Sequence, residues 1–119
     1  MEVTVTSAGG TSYMDIRAGV GHGIHQKKVN ATTMAASRDA DGYLPLGLPV
    51  NAAGGPVTAG DAVGIIGPEP MKLGTVNVFM NAILTGPLSR QAIEANLGRV
   101  LTAAELAGIA SGLPGVRLV

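Results

Sequence analysis

The sequence predicts a mainly β chain with short helices near its C-terminus, and three observations carry that expectation. Leu44, Leu46, Leu48 and Val50 alternate with Pro45, Gly47 and Pro49, the period of a half-buried strand. A short apolar run, Ala62-Val63-Gly64-Ile65-Ile66, is bounded by glycine and proline, as a strand would be. Helix-start chemistry is confined to the region after Ser89.

Residues 44–50 read as an edge strand. Pro45 and Pro49 lack an N–H and address the same side of the strand, so neither can donate to a neighbour there. After turn chemistry at Asn51 to Pro56 and at Ala59-Gly60-Asp61, residues 62–66 form a second strand. A third, long strand is expected over residues 71–84. Val76, Val78, Met80, Ala82 and Leu84 line its core face, and Asn77, Phe79, Asn81 and Ile83 the other, partly covered by a neighbour.

Ser89 caps a short helical turn that Gly98 closes, with Ile93 and Leu97 on one face. Thr102-Ala103-Ala104-Glu105 is a capping box, and Leu101 can staple to Leu106 across it. That helix is expected to reach about Ser111, with Gly112 in the left-handed position beyond its end and Pro114 preventing its resumption. Val116 to Val119 alternate as a last short strand. Glu94 and Glu105 are expected on solvated helix faces.

The first 39 residues have a different texture. They hold both histidines, four of the basic residues (Arg17, Lys27, Lys28, Arg38), and scattered apolar side chains, among them Val3, Val5, Tyr13, Met14, Ile16, Val20 and Ile24. Such a segment cannot bury itself, so the expected organisation is an extended N-terminal arm over residues 1–39 and a β-rich core domain over residues 40–119.

Composition narrows the function classes. Eight basic and eight acidic residues cancel, and three aromatics are too few for a base-stacking platform, so nucleic acid is not an expected partner. No run approaches the ~18 apolar residues of a membrane span, and the N-terminus lacks the pattern of a secretory signal. The expectation is a soluble protein made in the cytoplasm. Absence of cysteine excludes disulfides, thiolate zinc sites and cysteine nucleophiles. Charged residues make up only 13% of the chain, and mean hydropathy is +0.35. Either small residues inflate the apolar count or surface is covered in an assembly.

Gly19-Val20-Gly21-His22-Gly23 lacks the third glycine of a dinucleotide fingerprint, and no P-loop lysine follows. His22 and His25 are the sole imidazoles and have no completing ligand set beyond Asp15. A triad would have to draw its base from the arm. No catalytic, cofactor or metal residues are therefore expected, and the chain does not read as an enzyme. Met71-Lys72-Leu73 resembles the modified-lysine hairpin of biotinyl and lipoyl carrier domains, although Pro70 precedes it and helices replace the second half of that fold. A carrier modified at Lys72 and a small β-barrel binding module are the alternative readings.

The proline- and glycine-punctuated strands, Ala62-Val63-Gly64-Ile65-Ile66, Val76-Asn77-Val78, the helix start Leu101-Thr102-Ala103-Ala104-Glu105-Leu106 and the closing Gly115-Val116-Arg117-Leu118-Val119 together resemble the lambda-type head decoration (capsid cement) proteins of tailed bacteriophages. The resemblance covers residues 42–119. It implies a small β-sandwich or barrel-like fold that forms a homotrimer at threefold and quasi-threefold positions on the outer capsid of the virion. There it would cement capsomers against the pressure of packaged DNA. The major capsid protein would be the partner, engaged by an arm carrying Val3, Val5, Tyr13, Met14, Ile16 and Ile24. Pro45, Pro49, Phe79 and Ile83 are the expected trimer-interface residues. The piece between Ser89 and Gly98 and the long N-terminal segment depart from the family's compact pattern.

Overall fold

The computed structural model describes the backbone of residues 4–6 and the whole of residues 12–119. Its strands are organised around one long member, β8 (Val78–Leu88). Along one edge β8 pairs antiparallel with β3 (Gly23–Val29), from Gly23↔Thr85 to Val29↔Val78. It also pairs antiparallel with β6 (Ala62–Ile66), through Ile65↔Ile83 and Ile66↔Ala82. β6 in turn carries β5 (Pro49–Asn51), giving the order β3-β8-β6-β5. The C-terminal strand β9 (Val116–Leu118) joins the end of β8 in parallel. Two small ribbons complete the β structure: β1 (Thr4–Thr6) with β2 (Ser12–Met14), and β4 (Tyr43–Leu44) with β7 (Met71–Lys72). With two short helices near the C-terminus, the expected mainly β class holds.

The central sheet is covered on both faces, which is why residues 62–66 read as a continuous apolar run rather than an alternating one. Ile65 and Ile83 enter one core cluster with Ile16, Leu88, Ile93 and Ile109. Ile66 and Met80 enter the other with Val29, Met34, Leu48 and Leu73. At Gly64 a Cβ would lie 2.7 Å from that of Ala82, so the missing side chain allows β6 and β8 to pack at this level.

Residues 44–50 do not form the single edge strand expected of them. Leu44 ends β4, a turn follows at Gly47 (φ +101°), and β5 begins at Pro49. The alternation survives as burial: Leu44, Leu46, Leu48 and Val50 are all 0–2% exposed, but Leu46 serves the first cluster and the others the second. A strand interrupted by two prolines and a glycine cannot sustain a ladder, so the chain bends and each leucine finds a different part of the interior. Gly47 is required twice, by its positive φ and because a Cβ would meet Ile93 Cγ1 at 2.8 Å. The edge position itself is kept by β5, which ends the sheet on that side.

The strand expected over residues 71–84 is likewise divided, into β7 and β8, and β8 runs on to Leu88 through Gly86 and Pro87. Met80 and Ala82 are buried as expected, whereas Val76 lies before the strand begins and is 68% exposed. Extension past Leu84 is supported by β9: Gly86 N–H donates to Gly115 O (2.9 Å), and Pro87 stands opposite Arg117, where the parallel register asks nothing of its nitrogen.

Helix α1 (Arg90–Leu97) starts at Ser89, whose Oγ accepts the Ala92 N–H (3.1 Å), and stops at Gly98 with φ +71°. Helix α2 (Ala103–Gly112) starts with the predicted capping box, Thr102 and Glu105 each bonding the other's backbone N–H. Its C-terminal end differs from expectation. Gly112 is the last helical residue rather than a left-handed cap, and close packing against β6 is what excludes a side chain there.

The expected arm over residues 1–39 is corrected by burial over its described part. Tyr13 and Ile16 are interior in the first cluster, and Val29, Ala31 and Met34 in the second. β3 is hydrogen-bonded along β8, so residues 12–39 share both cores with residues 40–119. Scattered apolar residues can be buried when a distant strand supplies the ladder, which local patterning does not register. Among the described residues no helix is long and apolar enough to cross a membrane.

Candidate functional site

The exposed half of the β3–β8 sheet face is the surface most suited to a partner. Antiparallel partners share a face, so Ile24, Gln26 and Lys28 lie beside Ile83, Asn81 and Phe79 in the order given. At the Ile83 end this face is closed by the first core cluster. Toward the start of β8 it opens, and Phe79, the chain's single phenylalanine, is 65% exposed. Ile24 is 41% exposed on the same face, with Gln26 and Lys28 exposed between them.

The residues singled out by sequence are divided by this geometry. Phe79 and Ile24 are available to a partner, and Pro45 is half-buried. Ile83 is fully buried and Pro49 is buried in β5, so neither side chain presents a trimer contact on this molecule's surface. Ile83 points to the same face as Phe79, but helices and Ile16 cover it. Val3 lies outside the described residues. Val5 stands opposite Tyr13 in the β1–β2 register.

Tyr13 and Ile16 are core residues rather than capsid contacts. The Tyr13 hydroxyl donates to Asp39 Oδ2 (2.5 Å), and Asp39 Oδ1 also accepts the N–H groups of Asp41 and Tyr43. Burial first, and then the Asp39 carboxylate, push the Tyr13 phenol well above its ordinary pKa. Met14 is half-buried and held at its backbone: its N–H donates to Asn96 Oδ1 (2.8 Å) while Asn96 Nδ2 donates to the Met14 carbonyl (2.8 Å). Asn96 thereby fastens β2 to α1. Nothing in its local sequence signals that role, because the partner is 82 residues away.

The histidine-bearing glycine segment bends at Gly19-Val20 and leads into β3. His22 Nε2 sits 2.6 Å from the Pro87 carbonyl oxygen, and since a carbonyl accepts, that nitrogen donates. His25 lies exposed on β3 opposite Ala82. Lys72 is exposed, but it stands within β7 opposite Tyr43 and not at the tip of a β-turn, where carrier domains present their lysine.

Sequence reasoning missed a charged pair whose carboxylate is buried. Glu105 is 3% exposed and accepts two hydrogen bonds from Arg99, at 2.6 and 3.0 Å, besides the Thr102 N–H. Burial raises the Glu105 carboxyl pKa, but the Arg99 guanidinium and the Thr102 donors outweigh it and hold the group below the usual carboxylate range. The pair borders an open recess of about 420 Å³ that Pro56, Val57 and Thr58 also line. The Arg99 nitrogens Nη1 and Nη2 are committed to Glu105, with Nη1 also donating to Val100 O, so the arrangement is that of a structural clasp.

No protein-family model matches the chain, and neither a curated protein nor a solved structure matches it.

Proposed function

We propose that this chain is a lambda-type head decoration protein of a tailed bacteriophage, binding the outer capsid as a homotrimer and cementing neighbouring capsomers. The observation that carries the reading is Phe79: a large aromatic group on the central strand of a weakly charged body is left 65% exposed, and a second exposed apolar residue, Ile24, stands on the same face beyond Lys28 and Gln26. Surface of that kind suits a face covered in an assembly. The sequence resemblance over residues 42–119 supplies the family, and the weak net field agrees with a protein that works through binding area alone.

Burial narrows the set of residues that this reading assigns to docking. In this reading Phe79 serves the trimer contact. The capsid contacts fall to Ile24 and to the segment before Ser12, which carries Val3 and Val5, because Tyr13 and Ile16 are needed inside. Threefold repetition turns individually weak contacts into strong attachment. Co-sedimentation of the full chain with expanded phage heads, together with light scattering of the protein itself, tests the proposal. Binding by a trimer is the expected result. A chain that stays in the supernatant with expanded heads overturns it.

A further inference from the structure

Among the described residues, the outer edge of β3 is an unused half-ladder with a charge of one sign. Gly67 N–H donates to Asn81 O on the β6 side of β8, so the odd-numbered residues of β8 address β6 and the even-numbered ones address β3. Their partners His25, Lys27 and Val29 are therefore the hydrogen-bonded members of β3. The backbone groups of Ile24, Gln26 and Lys28 point away from the sheet, and among the described residues none of them has a backbone partner along the free edge. The stretch is closed at its far end, where Asn30 N–H donates to Gly54 O (2.9 Å) and Gly54 lies against the Lys28 carbonyl, a Cβ there coming 2.9 Å from its oxygen. What stays open, from Ile24 to the Lys28 N–H, accepts a strand of about four residues.

The side chains along this edge are His25, Lys27 and Lys28, and the sequence has no acidic residue between Asp15 and Asp39 or anywhere in β6 or β8. The three ion pairs among the described residues are Arg17–Asp15, Arg90–Glu94 and Arg99–Glu105, so neither lysine has an ion-pair partner among those residues. A second copy of β3 laid against this edge would bring lysines against lysines and histidine, which disfavours self-pairing. We infer that the β3 edge is a docking site for an extended acidic segment of a partner protein, which adds as a strand beside Ile24 to Lys28 with carboxylates next to Lys27 and His25 and apolar groups next to Ile24. This inference stands independently of the decoration reading, since it names a chemistry and a register and not a virion.

The test uses the full chain, isotopically labelled, and a short acetylated peptide in which glutamate alternates with valine and threonine, against a counterpart with lysine for glutamate. On addition of the acidic peptide, amide exchange at Ile24, Gln26 and Lys28 slows, while His25 and Lys27, already bonded to β8, do not change. The lysine peptide has no effect. Changing Lys27→Glu together with Lys28→Glu weakens acidic-peptide binding by about tenfold, from two edge charges reversed, without moving the melting temperature. Gln26→Pro removes an outward N–H and abolishes the protection; circular dichroism shows that this variant is folded. Equal response to both peptides, or no slowing at the three amides, overturns the inference. So does slow exchange at those amides in the free chain, which means the edge is already covered; sedimentation and a chain lacking residues 1–11 then separate a second copy from the chain's own N-terminus.

Discussion

Gly112, in the last turn of α2, lies against the carbonyl oxygen of Ala62 at the start of β6 with no room between them for a methyl group. One turn earlier Gly108 is in the same relation to Gly60, where a Cβ would come 2.7 Å from the carbonyl oxygen. The two glycines, four residues apart, make a flat strip on which the helix rests against the sheet. Alanine in a helix is ordinarily favoured over glycine by about 1 kcal/mol. Here the contact outweighs the propensity, and Gly112→Ala is expected to lower stability by about 2 kcal/mol in urea unfolding. A stabilised variant would mean that α2 and β6 can separate freely.

The Arg99–Glu105 clasp predicts an acid limb. The folded state holds the Glu105 carboxyl below its ordinary pKa, so unfolding takes up a proton in that range. The stabilisation is complete at neutral pH and is lost as pH falls from about 4.3 through the lower folded value. Glu105→Gln should cost about 2 kcal/mol at pH 7 and flatten the stability profile below pH 5. Thr102→Ala, which removes the reciprocal cap, should cost about 1 kcal/mol and leave the pH profile in place. Urea midpoints measured across pH check both.

Tyr13 predicts the opposite limb. Its phenol is raised in the folded state, so the stabilisation is intact below the ordinary value of about 10 and declines as pH rises from there toward the higher folded value. Tyr13→Phe should lose about 1 kcal/mol at pH 7, from the bond to Asp39, and should resist alkaline unfolding better than the parent chain. Parallel alkaline limbs in the two proteins would show that another group governs it.

Truncations separate the N-terminal segment from the body. Removing residues 1–39 takes away β3 and five interior side chains, Tyr13, Ile16, Val29, Ala31 and Met34, and is expected to abolish cooperative unfolding. Removing residues 1–11 leaves every described core residue in place. That shorter chain should keep a cooperative thermal transition by circular dichroism, and it is the right one for asking what the N-terminus contributes to capsid binding.

Phe79→Ser probes the exposed face without touching the interior. An exposed substitution of this kind should change stability by no more than about 0.5 kcal/mol. Under the decoration reading it should shift the protein from trimer to monomer in light scattering. Ile83→Ser, by contrast, places a hydroxyl in the core and should unfold the chain.

Helix signals were the most legible part of the chain, because a cap is a local device: Ser89, Gly98 and the Thr102–Glu105 box all read correctly from neighbouring residues. Strand content was legible too, at residues 62–66 and 116–118. Strand extent was not. Residues 44–50 and 71–84 each divide, since alternation reports which side chains are apolar and not whether one ladder can hold them. The candidate surface was half legible: Phe79 and Ile83 share a face, but only Phe79 is open, because the cover over Ile83 comes from Ile16 and the helices.

Apolar periodicity and turn chemistry were enough to establish a β-rich body with two C-terminal helices, the caps of those helices, and the set of leucines that would be buried. Whether residues 12–39 formed an arm or a sheet edge was decided by β8, more than 40 residues downstream, whose hydrogen-bonding groups make β3 a strand. The same nonlocal packing turned Glu105 from a surface carboxylate into an interior one and Gly112 from a cap into a contact. Local preferences act through neighbours along the chain, whereas burial depends on which distant surfaces meet, and only the assembled sheet specifies those meetings.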